Sequence, residues 1–429
     1  MKQVISLILC LMLCVALFGC GEGGSTADTT AATLPALSVG YGRQDISPDE
    51  GIPLQGYSNS SERLCDGSAS ERLYATCIAF TDETGNTVLL FHMDLTTIPA
   101  KVFDPIRETI AGDTGIPVEK ILVAATHNHS APDTDNALSK SYIPQLQAWM
   151  QEAAKDALAD RREATIQVAE AYPENLNWIR YYNYSDGTWG SGTLPKGAKR
   201  VSHIRDEVDN QLQMIRFVRA DAKDVLLVNW QGHPHREGSE TALFASSDIV
   251  GAMRRFLEKK DDDVLFAYFS GASGNLNNHS YIDGVTTTAD HAEHGEKLVS
   301  YITAAEFKPV EATPIQLIYR TEKLTSKADK NKQFEFPVCA FSIGDVAFVT
   351  AAYEMFDTSG QVIKESSKFD TTFVITYSNA HNGYLPTQDA FEADTSYEVR
   401  ITKVVKGSAE HMEGVYSGLL DEIWTMGNP

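Results

Sequence analysis

The sequence predicts an α/β fold of layered mixed β-sheets flanked by helices, and the pattern of its apolar residues is what predicts it. Short apolar runs occur at Val88 to Phe91, Ile121 to Ala125, Val225 to Trp230, Val264 to Phe269, Val346 to Ala351 and Phe373 to Tyr377. They lack the alternation of a half-exposed strand, so they predict strands covered on both faces. Amphipathic stretches lie between them, the clearest over Tyr142 to Arg161, where Ile143, Leu146, Met150, Ala153 and Ala157 recur at helical spacing. Ser246, Ser247 and Asp248 are capping residues and predict the start of another helix through Ala252, Met253 and Phe256. No fixed-period repeat or second low-complexity linker interrupts the pattern, so one domain over residues 37–429 is the simplest division.

The amino terminus has a different composition. Met1, Lys2 and Gln3 form a short basic start, Val4 to Phe18 is apolar, and Leu17-Phe18-Gly19-Cys20 follows. A spanning helix needs roughly 20 apolar residues. The small residue before a cysteine is similar to the lipobox of bacterial lipoprotein signal peptides, the alternative being an uncleaved anchor helix. This predicts a signal peptide over residues 1–19, acylation of Cys20, a flexible tether through residue 36, and a folded part outside the cytoplasm, anchored to the bacterial membrane.

Lys and Arg total 36 against 58 Asp and Glu, a formal charge of −22, and no Lys/Arg-rich run is present. Such a chain does not neutralise a phosphate backbone, which excludes nucleic acid as an expected partner. With Cys10 and Cys14 in the signal segment and Cys20 acylated, Cys65, Cys77 and Cys339 remain, too few for a disulfide framework. Cys65 and Cys77 are either paired or ordinary thiols, and no Cys-x-x-Cys zinc site exists.

Polar chemistry gathers where the apolar runs end. Ile121 to Ala125 leads through Thr126 into His127-Asn128-His129-Ser130; in an extended chain both rings project to one side, one placed to bind a metal and the other to face a substrate. A hydrogen-bonded structural pair is the other reading. Val225 to Trp230 runs into Gln231-Gly232-His233-Pro234-His235, where Pro234 fixes the turn behind His233. The run from Val346 ends at Tyr353-Glu354, and that from Phe373 leads through Ser378 to Gly383 into Tyr384. Two imidazoles and a carboxylate at strand ends are ligand types that hold a catalytic zinc with a position left for water, and sites in α/β sheets gather at the carboxyl ends of strands. Such a zinc acidifies its water and polarises a carbonyl, giving a hydrolase without a protein nucleophile.

The segments VGYGRQDISP, PLQGYSN, ERLYATCIAF, ILVAATHNHSAP, NWQGHP, AYFSGASGNLN, YEMF and SNAHNGYLPT with SYEV, in that order, resemble the catalytic domain of the neutral/alkaline (non-lysosomal) ceramidases and their bacterial relatives. The resemblance spans nearly all of the chain beyond the tether. It implies a ceramidase-like catalytic domain, here without the carboxy-terminal immunoglobulin-like domain of full ceramidases, and a Zn2+ ion held by His127, His233, Glu354 and Tyr384. It also implies that His129 stands beside the reacting carbonyl, that Tyr397 donates to the developing oxyanion, and that Arg180 lies near the substrate. The expected function is hydrolysis of a linear, small-molecule or lipid-like amide by attack of zinc-bound water. An ester would use the same machinery, and a non-catalytic solute- or glycan-binding lipoprotein is the rival. One departure bears on substrate: the serine of the family's Gly-Asp-x-Ser-Pro segment falls on Asn277, which has no hydroxyl. His235, His381 and Asp94 are candidates to support the ligands, and the remaining histidines read as surface or packing residues.

Overall fold

A computed structural model describes residues 34–428, apart from 192–193, 313 and 394–395. The expected signal peptide, Cys20 and residues 20–33 of the tether lie outside the described residues. Strand β1 (Leu37–Asp45) lies between β2 (Tyr74–Asp82), paired antiparallel along its length, and β5 (Arg162–Ala171). Outward from β2 come β3 (Thr87–Met93) and, parallel to it, β4 (Ile121–Ala125). Outward from β5 come β6 (Leu212–Arg219), β7 (Asp224–Trp230) and, parallel to β7, β8 (Val264–Ser270). With β9 (Lys308–Val310) on β5 this is a nine-stranded mixed sheet. A second, four-stranded sheet runs β10 (Gln316–Thr325), β11 (Gln333–Ile343), β12 (Val346–Ala351) and β13 (Thr371–Ile375), the last pair parallel.

The sheets face each other across one apolar layer, with Val39, Phe80, Leu90, Leu122 and Phe217 from the first meeting Phe341, Phe348 and Phe373 from the second. The rings of Phe341 and Phe348 stack at 4.4 Å. Helices cover both outer faces. Helices α1 (Ala100–Thr114) and α2 (Ile143–Ala159) pack on the β1 to β4 half, and α3 (Asp248–Lys260) and α4 (His291–Ala304) on the β6 to β8 half. Helices α5 (Asp357–Ser366) and α6 (Ser408–Gly427) cover the smaller sheet. The layering explains the unalternating apolar runs: β4 and β12 are buried at every residue because both faces are covered. Helix α2 presses so closely on β1 that a Cβ on Gly42 would lie 2.1 Å from the carbonyl oxygen of Ala153.

Expected and observed boundaries differ where the backbone turns away. Phe373 to Tyr377 was expected as one strand, but β13 ends at Ile375, because Tyr377 takes a left-handed conformation with φ 55°. The cap of α3 also differs. No Ser247 side-chain bond closes the helix; Asp248, itself at φ 55°, accepts from the Ile249 amide at 2.7 Å, while the Ser246 hydroxyl accepts from the Asp248 amide at 2.9 Å. Cys65, Cys77 and Cys339 are free and buried. Among the described residues, no helix is long and apolar enough to cross a membrane.

Candidate metal centre and active site

Each parallel strand pair ends on the same side of the molecule, and the chain beyond those ends builds the site. Past β4, the Thr126 amide donates to Met93 and the His127 amide to Leu95, extending the ladder with the chain that leaves β3. His127 sits at φ 65°, a left-handed conformation uncommon outside glycine, which turns its ring into the molecule. Its Nδ1 lies 2.8 Å from the carbonyl of Thr96, which can only accept, so Nδ1 carries the proton and Nε2 presents a lone pair. His233, past β7, repeats the device more loosely, with Nδ1 3.4 Å from the carbonyl of Ser273. A backbone acceptor behind each imidazole is the usual arrangement of metal-binding histidines.

The Nε2 of His129 lies 3.4 Å from that of His127 and 3.1 Å from that of His233. The ligand atoms of these three residues fall within 4.8 Å of one another. Oε2 of Glu354 is 3.4 Å from Nε2 of His127. It is buried and has no hydrogen-bond partner. A proton on His129 can serve the other two rings, yet it still leaves a carboxylate oxygen facing the lone pair of His127. Buried acceptors without donors are costly, and a cation among them removes the conflict. The donor set therefore fits a divalent ion, on geometry alone.

Tyr384 is held beside Glu354 by a short parallel pairing, Glu354–Met355 with Tyr384–Leu385. Burial, and then the Glu354 charge, push its phenol well above the ordinary tyrosine value. His129 and His233 are shifted well below the ordinary histidine value, by burial first and then by the neighbouring imidazoles, so both rings are neutral.

The backbone of His129 is clamped from outside. A Cβ on Gly56, at φ 123°, would lie 2.4 Å from the His129 Cα, so only glycine lets the Gln55 to Tyr57 segment pass. Arg63, 1% exposed, donates to the carbonyls of Leu54, Gln55 and His129 and to the Ser130 hydroxyl. Its guanidinium lies 4.8 Å from the centroid of Tyr57, whose ring meets His129 edge-on at 5.7 Å.

The other expected residues take varied places. Arg180 forms an ion pair with Glu398 at 3.1 Å and lies 5.9 Å from the ring of Tyr397. Tyr397, 41% exposed, is on the rim, its ring 5.9 Å from that of Tyr384. His235 packs against His233 at 4.8 Å and His129 at 5.4 Å. His381 is half-buried near Glu354, and desolvation drops its pKa to about 4. Asn277 is buried on a short pair with Trp178–Ile179. Asp94 caps no helix and does not reach the imidazole cluster: it accepts from His92 at 2.9 Å and Arg254 at 2.6 Å in a fully buried network behind β3.

Sequence reasoning missed several contributors. Glu398, fully buried, accepts from the Tyr181 hydroxyl at 2.8 Å and fixes Arg180; its only signal was its place next to Tyr397. Tyr377 stacks flat on His127, centroids 3.9 Å apart and planes 5° apart. Tyr57 lay inside a segment that stood out for its resemblance alone.

No protein-family profile matches the chain, and no curated protein sequence matches it. Solved structures do. The crystal structure of neutral ceramidase from Pseudomonas aeruginosa superposes with a TM-score of 0.72 at 14% identity, over 90% of this chain and 74% of that one. A structure described as ceramidase complexed with C2 gives 0.73 at 14% identity, over 91% and 76%. At that identity the likeness establishes one thing, that the chain has the fold of the neutral ceramidases.

Proposed function

We propose that the protein is an extracytoplasmic, lipid-anchored, zinc-dependent hydrolase of a linear amide. The observation that carries this reading is the meeting of His127, His129 and His233 with Glu354, whose buried Oε2 has no partner. The ceramidase fold supports it. His127, His233 and Glu354, with Tyr384 beside them, would hold the ion. A zinc ion there supplies Lewis acidity toward the scissile carbonyl and lowers the pKa of water.

The remaining work falls to the chain. Thr96 and Ser273 orient the ligand imidazoles through their carbonyls. His129, neutral and clamped by Arg63 and Gly56, stands beside the carbonyl and moves its proton at Nε2. Tyr397 donates its hydroxyl to the developing oxyanion, and Arg180, kept in place by Glu398, sets the substrate's position from the rim. Asn277 in place of the family's serine favours a second reading, a solute- or glycan-binding lipoprotein without turnover.

A panel of N-acyl amides and the matching esters, incubated with purified protein before and after chelation, separates these readings. Chelator-sensitive, zinc-restored release of the acid supports the hydrolase. Tight binding with no turnover and no metal contradicts it and supports the binder.

A further inference from the structure

Beside the imidazole cluster, a wall of flat polar side chains leads outward. His235 packs on His279 at 5.7 Å, and His279 meets Tyr281 edge-on at 4.2 Å. Tyr281 lies 6.4 Å from Tyr182, and the guanidinium of Arg200 sits 5.1 Å from the centroid of each. Exposure rises along this path, from buried His233 through half-buried His235 and His279 to Tyr281 at 53%. Asn277 adds a buried amide beside Tyr182.

Hydrogen bonding shows what the wall lacks. The Nδ1 of His235 donates to the carbonyl of His233 at 2.9 Å, and that of His279 to the Asn278 side-chain oxygen at 3.0 Å. The Asn278 amide is oriented by its own 2.6 Å bond to the His233 carbonyl. Both rings therefore keep Nε2 as an acceptor, and neither Nε2 has a hydrogen-bond partner among the described residues. Among the described residues Arg200 forms no ion pair either, and its buried Nε is unpartnered. An alkyl chain laid along this wall would cover acceptors and a guanidinium edge without satisfying them. A hydroxylated ring matches the wall on both counts: its C–H face packs on flat aromatic rings, while its hydroxyls donate to Nε2 atoms and accept from the guanidinium.

We propose that the half of the substrate lying along His235, His279 and Tyr281 is a hydroxylated ring of the amino-sugar class, so that the amide cleaved is an N-acylated amino sugar. The proposal rests on the hydrolase reading and names the substrate of that same site.

The test compares N-hexanoylglucosamine with N-hexanoyl-hexylamine, which share an acyl group, on the zinc-loaded wild type and on Tyr281→Ala and His279→Ala. Calorimetric binding of N-hexanoylglucosamine to the chelator-treated proteins is measured in parallel. The expected result is a kcat/KM about tenfold or more higher for the sugar amide, lost mainly through KM in both variants, with weaker binding to match. Tyr281 is more than half exposed, so its replacement spares the fold. Equal or better turnover of the alkyl amide, or a preference unchanged in both variants, overturns the proposal. Binding that the variants weaken, without hydrolysis of either amide, refutes the hydrolase reading and leaves ring recognition standing. Neither binding nor hydrolysis refutes both.

Discussion

Replacing Tyr377 isolates the contribution of a residue that touches a metal ligand without being one. The ring covers His127 at 3.9 Å, nearly coplanar, and its hydroxyl lies 3.3 Å from the Ser273 hydroxyl, in the residue whose carbonyl faces His233. Both stacked residues hold left-handed backbone conformations, at φ 55° and 65°, so each ring restrains the other's approach. Tyr377→Leu removes the stack; Tyr377→Phe keeps it and removes only the contact with Ser273. An aromatic pair contributes about 0.5–1.5 kcal/mol beyond its buried area. If that restraint acts on His127 as a ligand, Leu weakens zinc binding about two- to thirteenfold, while Phe stays within about twofold of wild type. Competition against a chromophoric chelator measures both constants, and urea titration of the metal-free proteins reports the separate loss of packing in the Leu variant, about 1–3 kcal/mol. Unchanged zinc affinity in Leu, or an equal loss in Phe and Leu, refutes the reasoning.

Three other predictions concern the scaffold. Asp94→Ala strands the buried guanidinium of Arg254 and the ring of His92, and costs about 3–5 kcal/mol in urea unfolding; a loss below about 1 kcal/mol would show that the network is better hydrated than its burial indicates. Gly42→Ala drives a methyl into the Ala153 carbonyl and forces α2 off β1, at about 1–3 kcal/mol, read as a lowered Tm; an unchanged Tm contradicts the contact. Burial pulls the pKa of His291 down, but Glu71, with Glu237 and Asp248, outweighs it and the pKa lies above 6.5. A raised histidine stabilises the fold fully below its unfolded value near 6.5, and the contribution disappears as pH rises through the folded value. His291→Ala should therefore lose stability against wild type at pH 6 and converge with it at alkaline pH. A deficit that grows with pH has the wrong sign.

What could be read from the sequence was local. Ile121–Ala125 and Val346–Ala351 match the expected strands residue for residue, because runs buried on both faces leave no ambiguity of period. Helix α2 lies within the expected Tyr142 to Arg161 span, since its apolar face repeats at 3.6 residues. The sheet order was illegible: β5 neighbours β1 across more than a hundred residues, a pairing set by which faces bury each other and not by any nearby signal. Of the site, the residues at strand ends were visible because polarity changes abruptly there. Tyr377 was hidden as the last residue of an apolar run, and Glu398 as one acid among many. The placement of His129 Nε2 between the other two rings follows from the clamp by Gly56 and Arg63, a contact between segments far apart in the chain.

The most direct measurement is the zinc content, by mass spectrometry of the metal, of the purified wild type, His127→Ala and His129→Ala. The account predicts about one zinc per chain in the wild type and in His129→Ala, and almost none in His127→Ala. A folded wild type that takes up no zinc, or a His127→Ala protein that retains it, contradicts the account.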